Sequence, residues 1–264
     1  MKYLHSRNRA ILREMVSTDF KVRYQGSVLG YLWSLLKPLF LFAILYVVFT
    51  YIIPLGKDVE HYPVYLLLGI VLWNFFSEAT MTGASSVVAR GDLMRKISIP
   101  RYLVVLASST SALINLGLSL IVVFIFALLN GITPSFSWLL IIPVIIELFI
   151  FALGISFLLS AMYVKFRDIT YIWEIFLQAG FYASAILYPL TNVPVEFHKW
   201  FFLNPMVQII QDARYIIATP TTITLWSTTT SILVIIAPFV IIGLFALVGG
   251  IYFKRRSKYF AEDI

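Results

Sequence analysis

The chain contains no cysteine, and only 12% of its 264 residues are charged. The missing cysteine excludes disulfides and thiolate metal sites, so redox chemistry gives no indication of the compartment. The low charge excludes an ordinary soluble domain, in which roughly a quarter of the residues are charged. The three histidines are scattered over the N-terminus and two loops, at His5, His61 and His198. With no acid, base and nucleophile grouped together, the sequence predicts no catalytic centre.

Hydrophobic residues, in contrast, make up 60% of the chain and are gathered in charge-poor runs. Because about 20 apolar residues are needed for a helix to cross a bilayer, these runs are typical of a polytopic membrane protein. The uncharged stretch 102–146 is about twice as long as one crossing, which predicts a break at NGITPS, 130–135. We predict six spans, over 31–53, 62 to about 83, 102–129, 138–163, 169–190 and 226–253.

The cations lie mostly on one predicted side of the membrane. The net charge of +7 does not point to nucleic acid, because the cations are divided among short segments between apolar runs. The positive-inside rule then predicts an inner or plasma membrane protein with both termini in the cytoplasm. Seventeen of the twenty Lys and Arg residues fit this topology, namely those at 2, 7, 9, 13, 21, 23, 37, 90, 95, 96, 101, 165, 167, 254, 255, 256 and 258.

The segment before the first span predicts an amphipathic helix. Its apolar residues recur at helical spacing, at Ile11, Leu12, Met15, Val16 and Phe20, while Arg9, Arg13 and Lys21 project elsewhere. We expect this helix to lie in the membrane plane with its apolar stripe in the acyl boundary. Gly26 and Gly30 would let the chain turn into the membrane, and Pro38 would fall in the early turns of the first span. The alternative is a simple basic anchor for that span.

Several motifs together carry a resemblance to a known family. RYQGSVLGYLWSLLKPL leads into an aromatic-rich first span, RGDLMRKISIPR lies between the second and third spans, and YVKFRDI lies between the fourth and fifth. LYPLTNVP and NPMVQIIQDARYI precede the last span. Over almost its whole length the chain resembles the permease subunits of type-2 ABC exporters. It is most similar to those that export polysaccharides or polyol phosphates, such as O-antigen, capsule or teichoic acid.

This resemblance implies an all-α fold with six transmembrane helices, an N-terminal amphipathic interface helix and short re-entrant helices before the last span. It implies an interface helix in 1–30, a core over 31–253 and a cytoplasmic tail over 254–264. The expected partners are a second copy of the chain, two ABC ATPase subunits, membrane lipids and a lipid-linked glycan or teichoic-acid-like substrate. Export of a small amphiphile, drug or lipid is the alternative within the family. A membrane-embedded transferase is the alternative outside it, although no His, Asp and Glu cluster supports one.

ATP is expected on a partner subunit. The chain has no G-x-x-x-x-G-K-[ST] motif, so it lacks a cradle for nucleotide phosphates, and we expect ATP and Mg²⁺ on the partner and no cofactor here. The resemblance implies a coupling helix within 87–100 that docks on the ATPase, and a smaller contact near 165–168. The coupling residues are Arg90, Asp92, Leu93, Met94, Arg95, Lys96, Arg167 and Asp168. The alternative is a basic loop that touches only water and lipid.

Charged and aromatic residues within the spans are candidates for a substrate path. A charge inside a bilayer costs roughly 2.5 to 3.5 kcal/mol on insertion scales, and aromatic faces can stack on sugar rings. The candidate path residues are Arg23, Tyr31, Trp33, Tyr46, Glu78, Glu147, Tyr171, Trp173 and Tyr182. Interface belts, core packing and cation-paired carboxylates are the alternatives. Segment 191–220 predicts two short amphipathic helices, and the resemblance implies that they gate the exit through Trp200, Asn204, Pro205 and Arg214. They could instead form a surface cap.

Overall fold

The computed structural model describes residues 2–24, 30, 32–53, 55–96 and 99–260, without the side chains of residues 2–6, 23, 24, 34, 95 and 96. Every regular element in this part of the chain is helical. The α-helices are α1 Lys2–Tyr24, α2 Leu32–Val47, α3 Tyr62–Ala89, α4 Gly91–Lys96, α5 Tyr102–Leu129, α6 Ile141–Tyr163, α7 Ile169–Ala183, α8 Val195–Phe201, α9 Pro205–Ile217, α10 Leu225–Thr228 and α11 Ile232–Arg256. A π-helical turn, Val48–Ile52, extends α2, and 3₁₀ turns occupy Phe136–Leu140 and Leu190–Asn192.

Five of these helical segments are long and apolar enough to cross a membrane, which confirms the all-α membrane fold. The third predicted span matches α5 from end to end, and the predicted break at 130–135 separates α5 from the next 3₁₀ turn. The second span was predicted to end near Gly83, but α3 continues to Ala89. The hydroxyl groups of Ser85 and Ser86 donate to carbonyls of their own helix, so these polar residues do not interrupt it.

The fifth predicted span, 169–190, is helical only as far as Ala183. The fifteen residues of α7 cover about 22 Å, which is short of the roughly 30 Å of hydrocarbon. Beyond Ala183 the carbonyls of Ala185, Ile186 and Leu187 accept hydrogen bonds from side chains of other helices. Because these carbonyls have partners outside the helix, the chain turns here without loss of hydrogen bonding. The count of six spans therefore stays a prediction.

The N-terminal helix forms as predicted, and part of its apolar stripe packs on protein. Met15 is buried against Val104 and Ala107 of α5, with Ile11, Leu12 and Val16 packed around it. Asp19 of α1 pairs with Arg90, the residue after α3, and accepts a hydrogen bond from Ser111 of α5. The first turns of α5 cover Met15, whereas Ile11, Leu12, Val16 and Phe20 are only partly buried, so the placement of the stripe in the acyl boundary stays a prediction. Gly26, part of the proposed hinge, lies outside the described residues.

Helix α3 runs through the centre of the bundle and packs against α2, α5, α6, α7 and α9. Arg90, Arg101, Lys165 and Lys254 lie at the end of the bundle that carries α1 and α4, which we call the basic end. Helices α8 and α9 lie at the opposite end, beside the first turns of α3. The 28 residues of α3 cover about 42 Å, so the two ends are separated by a full membrane thickness.

Other details of the helices also bear on the predictions. Pro38 falls in the second turn of α2, past the first turn in which a proline would cost no helical hydrogen bond. The predicted last span, 226–253, begins too early, because Trp226 lies in the separate turn α10 and α11 starts at Ile232. Helix α11 continues to Arg256, two residues into the predicted tail, and the cytoplasmic location of that tail stays a prediction. The two helices predicted in 191–220 are present, but the polar Gln208 and Arg214 of α9 are buried. Helix α9 packs against α3, α6 and α11, which accounts for the burial of these polar residues.

Candidate functional site

A polar cavity of about 650 Å³ lies between α2, α3 and α5. It is placed roughly midway along α3, since Glu78 is eleven residues, or about 16 Å, from the end of that helix at Ala89. Seven of its fourteen lining residues are polar, and one is a cation on α2. The polar residues are Lys37, Asn74, Ser77, Glu78, Thr82, Asn115 and Ser119. Such a concentration of polar groups inside a membrane bundle is costly, which makes this cavity the candidate functional site.

The cavity wall on α3 is a stripe at helical spacing. Asn74, Glu78, Thr82 and Ser85 recur every three or four residues, and all four are only partly buried, whereas most other faces of α3 are covered. Residues at this spacing share one face of a helix. The stripe therefore lies along the side of α3 that α5 and α2 leave open.

The opposite wall is supplied by α5 and α2. Asn115 is 5% exposed and donates its Nδ2 hydrogen to Oε1 of Glu78 over 2.8 Å. The bond fixes the carboxylate of Glu78 against α5. Exposed Lys37 and Trp33 on α2 complete the wall with a cation and an aromatic face. The cavity thus offers a carboxylate, amides and hydroxyls for sugar hydroxyls, an ammonium for phosphate, and an indole ring for stacking.

The structure brings two of the nine candidate path residues, Trp33 and Glu78, into this cavity. Trp173 of α7 is partly buried, and its indole Nε1 donates to Thr80 Oγ1 at 2.9 Å. Tyr46 stacks on Phe42 within α2. Tyr171 and Tyr182 lie on the exposed surface of α7. Tyr31 and the side chain of Arg23 lie outside the described residues.

Glu147, the remaining path candidate, belongs to a separate polar group between α6 and α9. Gln208 donates its Nε2 hydrogens to Glu147 Oε2 at 3.3 Å and to Asp212 Oδ2 at 2.7 Å. Burial raises the pKa of Asp212 above its ordinary value, and the hydrogen bond from Gln208 opposes this rise. The group holds α9 against α6, away from the cavity on α2, α3 and α5.

The proposed exit-gate residues have clear structural contacts. Asn204 caps α9 by accepting from the Met206 amide at 3.0 Å, and Pro205 takes the first helical position, which needs no amide donor. Arg214 is completely buried. Its guanidinium donates to the carbonyls of Tyr65, Ala185 and Ile186 at 2.7–3.0 Å and lies over the Tyr65 ring. Trp200 alone of the four is exposed.

The candidate coupling residues all lie at the basic end, but they do not form one surface. Arg90 is engaged internally by Asp19 and by the Val104 carbonyl. Met94 is half-buried and packs towards α1 and the end of α11. Asp92 and Leu93 of α4 are exposed. Arg167 and Asp168 are exposed at the start of α7, where Arg167 lies over the Tyr163 ring. The side chains of Arg95 and Lys96 lie outside the described part of the chain.

Sequence reasoning missed most of the cavity. Lys37, Asn74, Asn115 and Ser119 were not singled out, although Asn74, Glu78 and Thr82 share one helical face that the spacing could have revealed. The Asp19–Arg90 pair and the group around Gln208 join residues 71 and 61 positions apart, and no local pattern indicates them.

Comparison with known proteins agrees with this architecture. The family model described as ABC-2 type transporter matches residues 12–218 of the chain. The chain is 31% identical over 205 residues to the O-antigen export system permease protein RfbA of Klebsiella pneumoniae, which covers 77% of this chain and 78% of that protein. It is 29% identical over 210 residues to the RfbA protein of Myxococcus xanthus, with 79% and 80% covered.

A more distant similarity extends to a second kind of relative. The polysialic acid transport protein KpsM of Escherichia coli is 22% identical over 204 residues, with 74% of this chain and 76% of that protein covered. The family match covers well over half of the chain, and the five apolar helical segments agree with a multi-pass membrane protein. The chain belongs to the ABC-2 type transporter family.

Proposed function

We propose that this chain is the membrane subunit of an ATP-driven exporter that moves a lipid-linked polysaccharide out of the cytoplasm. The observation that carries the proposal is the cavity between α2, α3 and α5, which places hydrogen-bonding groups, a cation and an aromatic ring inside a membrane bundle. The names of the relatives, which refer to O-antigen export and polysialic acid transport, support a glycan as the substrate.

The chemistry of the cavity suits a hydroxyl-rich chain with a phosphate link to lipid. Glu78 and Asn115 share a hydrogen bond, and carboxylate and amide groups of this kind also form hydrogen bonds with sugar hydroxyls. Lys37 supplies a positive charge for a phosphate. Because Lys37 and Trp33 lie on the exposed side of α2, a lipid-linked headgroup could reach the cavity from the bilayer without first crossing water.

We also propose that two copies of the chain enclose the path, with α7 facing the partner copy or the water-filled space between them. Among its residues only Leu177 is buried. Its exposed surface carries Glu174 and Gln178, one helical turn apart. A charged and an amide side chain facing hydrocarbon would be costly, so protein or water at this surface is the better account.

Hydrolysis of ATP would take place on two separate ATPase subunits at the basic end. The exposed Asp92 and Leu93 of α4, with Arg167 and Asp168, are the described candidates for that contact. At such a contact an apolar side chain contributes binding free energy, and a neighbouring charge fixes how the two subunits align. The positive-inside rule supports a cytoplasmic location for this end, as the contact with the ATPase requires.

The cavity can be tested by measuring polysaccharide on the cell surface in a strain that depends on this chain. We expect Asn115→Leu and Glu78→Leu to reduce surface polymer at least tenfold and to leave lipid-linked polymer inside the cell, because the cavity wall becomes apolar. Thr110→Val is the matched control, since its hydroxyl donates only to Leu106 of its own helix and does not line the cavity. Normal surface polymer in correctly inserted Glu78 and Asn115 variants would contradict the proposal. Loss of resistance to a small amphiphile, with polymer unchanged, would favour the small-molecule alternative.

The arrangement of two copies can be tested by cysteine cross-linking, because the native chain contains no cysteine that would react. Gln178→Cys on α7 should form a disulfide-linked dimer in membranes after mild oxidation. Ile125→Cys, an exposed residue of α5, should remain a monomer. Equal cross-linking of the two variants would show random collision, and cross-linking of the α5 variant alone would place the interface on α5.

A further inference from the structure

The chain folds back onto the bundle after α11. Helix α11 ends at Arg256, and the amide of Tyr259 donates to the carbonyl of Arg256 at 3.0 Å, which closes a turn. Lys258 and Tyr259 in this turn are exposed, whereas Phe260 is only 2% exposed. Burial of an aromatic ring is strongly favourable, so the Phe260 ring holds the turn in place. We call residues 257–260 the C-terminal segment.

Phe260 lies in an apolar cluster to which several helices contribute. Its ring contacts Phe253 of α11 edge to face, with centroids 5.4 Å apart. Val87 of α3 and Val105 of α5 are buried in the same cluster. The guanidinium of Arg101, the residue before α5, lies over the Phe260 ring at 6.0 Å from its centroid. The C-terminal segment therefore joins the end of α11 to α3 and to the start of α5.

Helix α4 packs on this cluster through one side chain. Among the described side chains of α4, Asp92 and Leu93 are exposed, and only Met94 is half-buried. Met94 packs on the cluster that contains Phe260 and also on the one that contains Met15 of α1. With six residues, α4 is far too short to be stable as an isolated helix, so tertiary contacts must hold it.

We propose that the C-terminal segment positions α4 for its contact with the ATPase and that Phe260 is the positioning residue. The inference rests on the proposed function, in which Asp92 and Leu93 contact the ATPase. Without the Phe260 ring, the cluster on which Met94 packs would open and α4 would lose one of its two supports. Binding of the ATPase would then have to order α4, which lowers affinity. The family model ends at residue 218 and does not include this segment.

Thiol labelling of the purified full-length chain tests the position of the segment, because no native cysteine competes. Val104 and Val105 are neighbours on α5 and are equally buried, but Val105 belongs to the Phe260 cluster and Val104 to the Met15 cluster. We expect Phe260→Ala to speed labelling of Val105→Cys by a water-soluble maleimide about tenfold or more, and to leave Val104→Cys protected. Unchanged labelling of Val105→Cys, or equal acceleration at both positions, would overturn the inference.

Trypsin tests α4 itself, because Arg95 and Lys96 lie in that helix and cleavage there requires local unfolding. We expect Phe260→Ala to speed cleavage after these two residues about tenfold, with the fragments identified by mass. Phe260→Leu keeps a large apolar side chain and should be cleaved almost as slowly as the wild type. Tyr259→Ala removes an exposed ring from the same segment and is the matched control.

Thermal unfolding of each variant separates local opening from general loss of stability. If Phe260→Ala melts at a lower temperature, cleavage is compared at temperatures equally far below each melting point. Equal cleavage of α4 in the wild type and in Phe260→Ala would overturn the role of the segment in holding α4. Cleavage in Tyr259→Ala as fast as in Phe260→Ala would assign the effect to the turn and not to the buried ring, and would also overturn it.

Titration with the ABC ATPase subunit of the same exporter separates positioning from simple loss of structure. We expect Phe260→Ala to raise the ATPase concentration for half-maximal binding about fivefold with an unchanged maximum, since fewer molecules hold α4 ready for binding. Phe260→Leu should restore the wild-type value. A lower maximum at an unchanged half-maximal concentration would show misfolded protein and overturn the positioning role. Failure of the wild type to bind would contradict the proposed function, while labelling and trypsin would still decide whether the segment holds α4.

Discussion

The central helix α3 has an arginine at each end, and the two arginines are held in different ways. Arg214 of α9, beside the first turns of α3, is completely buried, and three backbone carbonyls and the Tyr65 ring hold it. Within the described residues no carboxylate pairs with it. Arg90, at the other end, is about a fifth exposed and pairs with Asp19 of α1. The bonds of Arg214 join α9, the first turns of α3 and residues 185–186 in the protein interior. The Arg90 pair attaches one surface helix, α1, to the end of α3.

The difference shows what a buried cation requires. A guanidinium removed from water must direct its N–H groups at acceptors in fixed positions, and carbonyls freed by the turn after α7 provide them. A partly exposed arginine can retain water, so a single carboxylate is enough and the pair contributes little to stability. We therefore expect the two ends of α3 to respond very differently to substitution.

The largest effect is expected for Arg214→Met. It leaves the carbonyls of Ala185 and Ile186 without their side-chain donors, at a cost of about 1 to 3 kcal/mol for each. Thermal unfolding in detergent, followed by tryptophan fluorescence, should show a large drop in melting temperature, with Arg214→Lys in between. Lys199→Met, an exposed cation at the same end, is the control and should melt like the wild type. If both methionine variants melt alike, Arg214 does not hold the segments together.

A smaller loss is expected for Gly69→Ala. The new Cβ would lie 2.7 Å from Nη2 of Arg214, and that nitrogen cannot retreat without losing its bond to Ile186. We expect a lower melting temperature for this variant. Gly117→Ala is the control, because its Cβ meets no atom within 4 Å and alanine favours the helix by about 0.5 to 1 kcal/mol.

The same substitution in an Arg214→Met background sharpens the test, because the two residues are in contact. The added cost of Gly69→Ala should largely disappear there, since the nitrogen that it displaces is gone. An equal cost in both backgrounds would place the strain on another neighbour, such as Ile186 Cγ2 at 3.4 Å.

The smallest effect is expected for Asp19→Asn at the Arg90 end. A partly exposed ion pair contributes up to about 1 kcal/mol, and salt screens it. The difference in melting temperature from the wild type should therefore be small at low ionic strength and smaller still in high salt. Glu14→Gln, an exposed acid on the same helix, is the control. A loss as large as that of Arg214→Met would show that the comparison between the two ends is wrong.

The sequence predicted more of the fold than of the cavity. Apolar run length, prolines, glycines and charge breaks were sufficient for α5 and for the pair α8 and α9, because each of these signals acts over a few neighbouring residues. They failed at the end of α7, where the run stays apolar to Leu190 but the helix ends at Ala183. The acceptors released there are satisfied by Tyr62 and Arg214, and no local pattern reports such distant donors.

The cavity residues also divide into those that a local sequence signal indicates and those that only the packing of the helices reveals. Glu78 was selected because a carboxylate in an apolar run is conspicuous, whereas Asn115 and Ser119 on α5 were overlooked in a stretch of small polar residues. Only their position opposite Glu78 gives them a role. Lys37 was counted as a positive-inside cation, and its location on the cavity wall depends on how α2 packs against α3.

By itself the sequence determined that the chain is helical, that it belongs in a membrane and that its cations gather at one end, because composition and local spacing decide these properties. The tertiary structure alone decided which helix faces meet: Arg214 with carbonyls 149, 29 and 28 residues away, and Glu78 with an amide 37 residues away. Helical periodicity indicates which side chains share a face. It does not indicate which neighbouring helix that face will meet, because close packing of all the helices decides that.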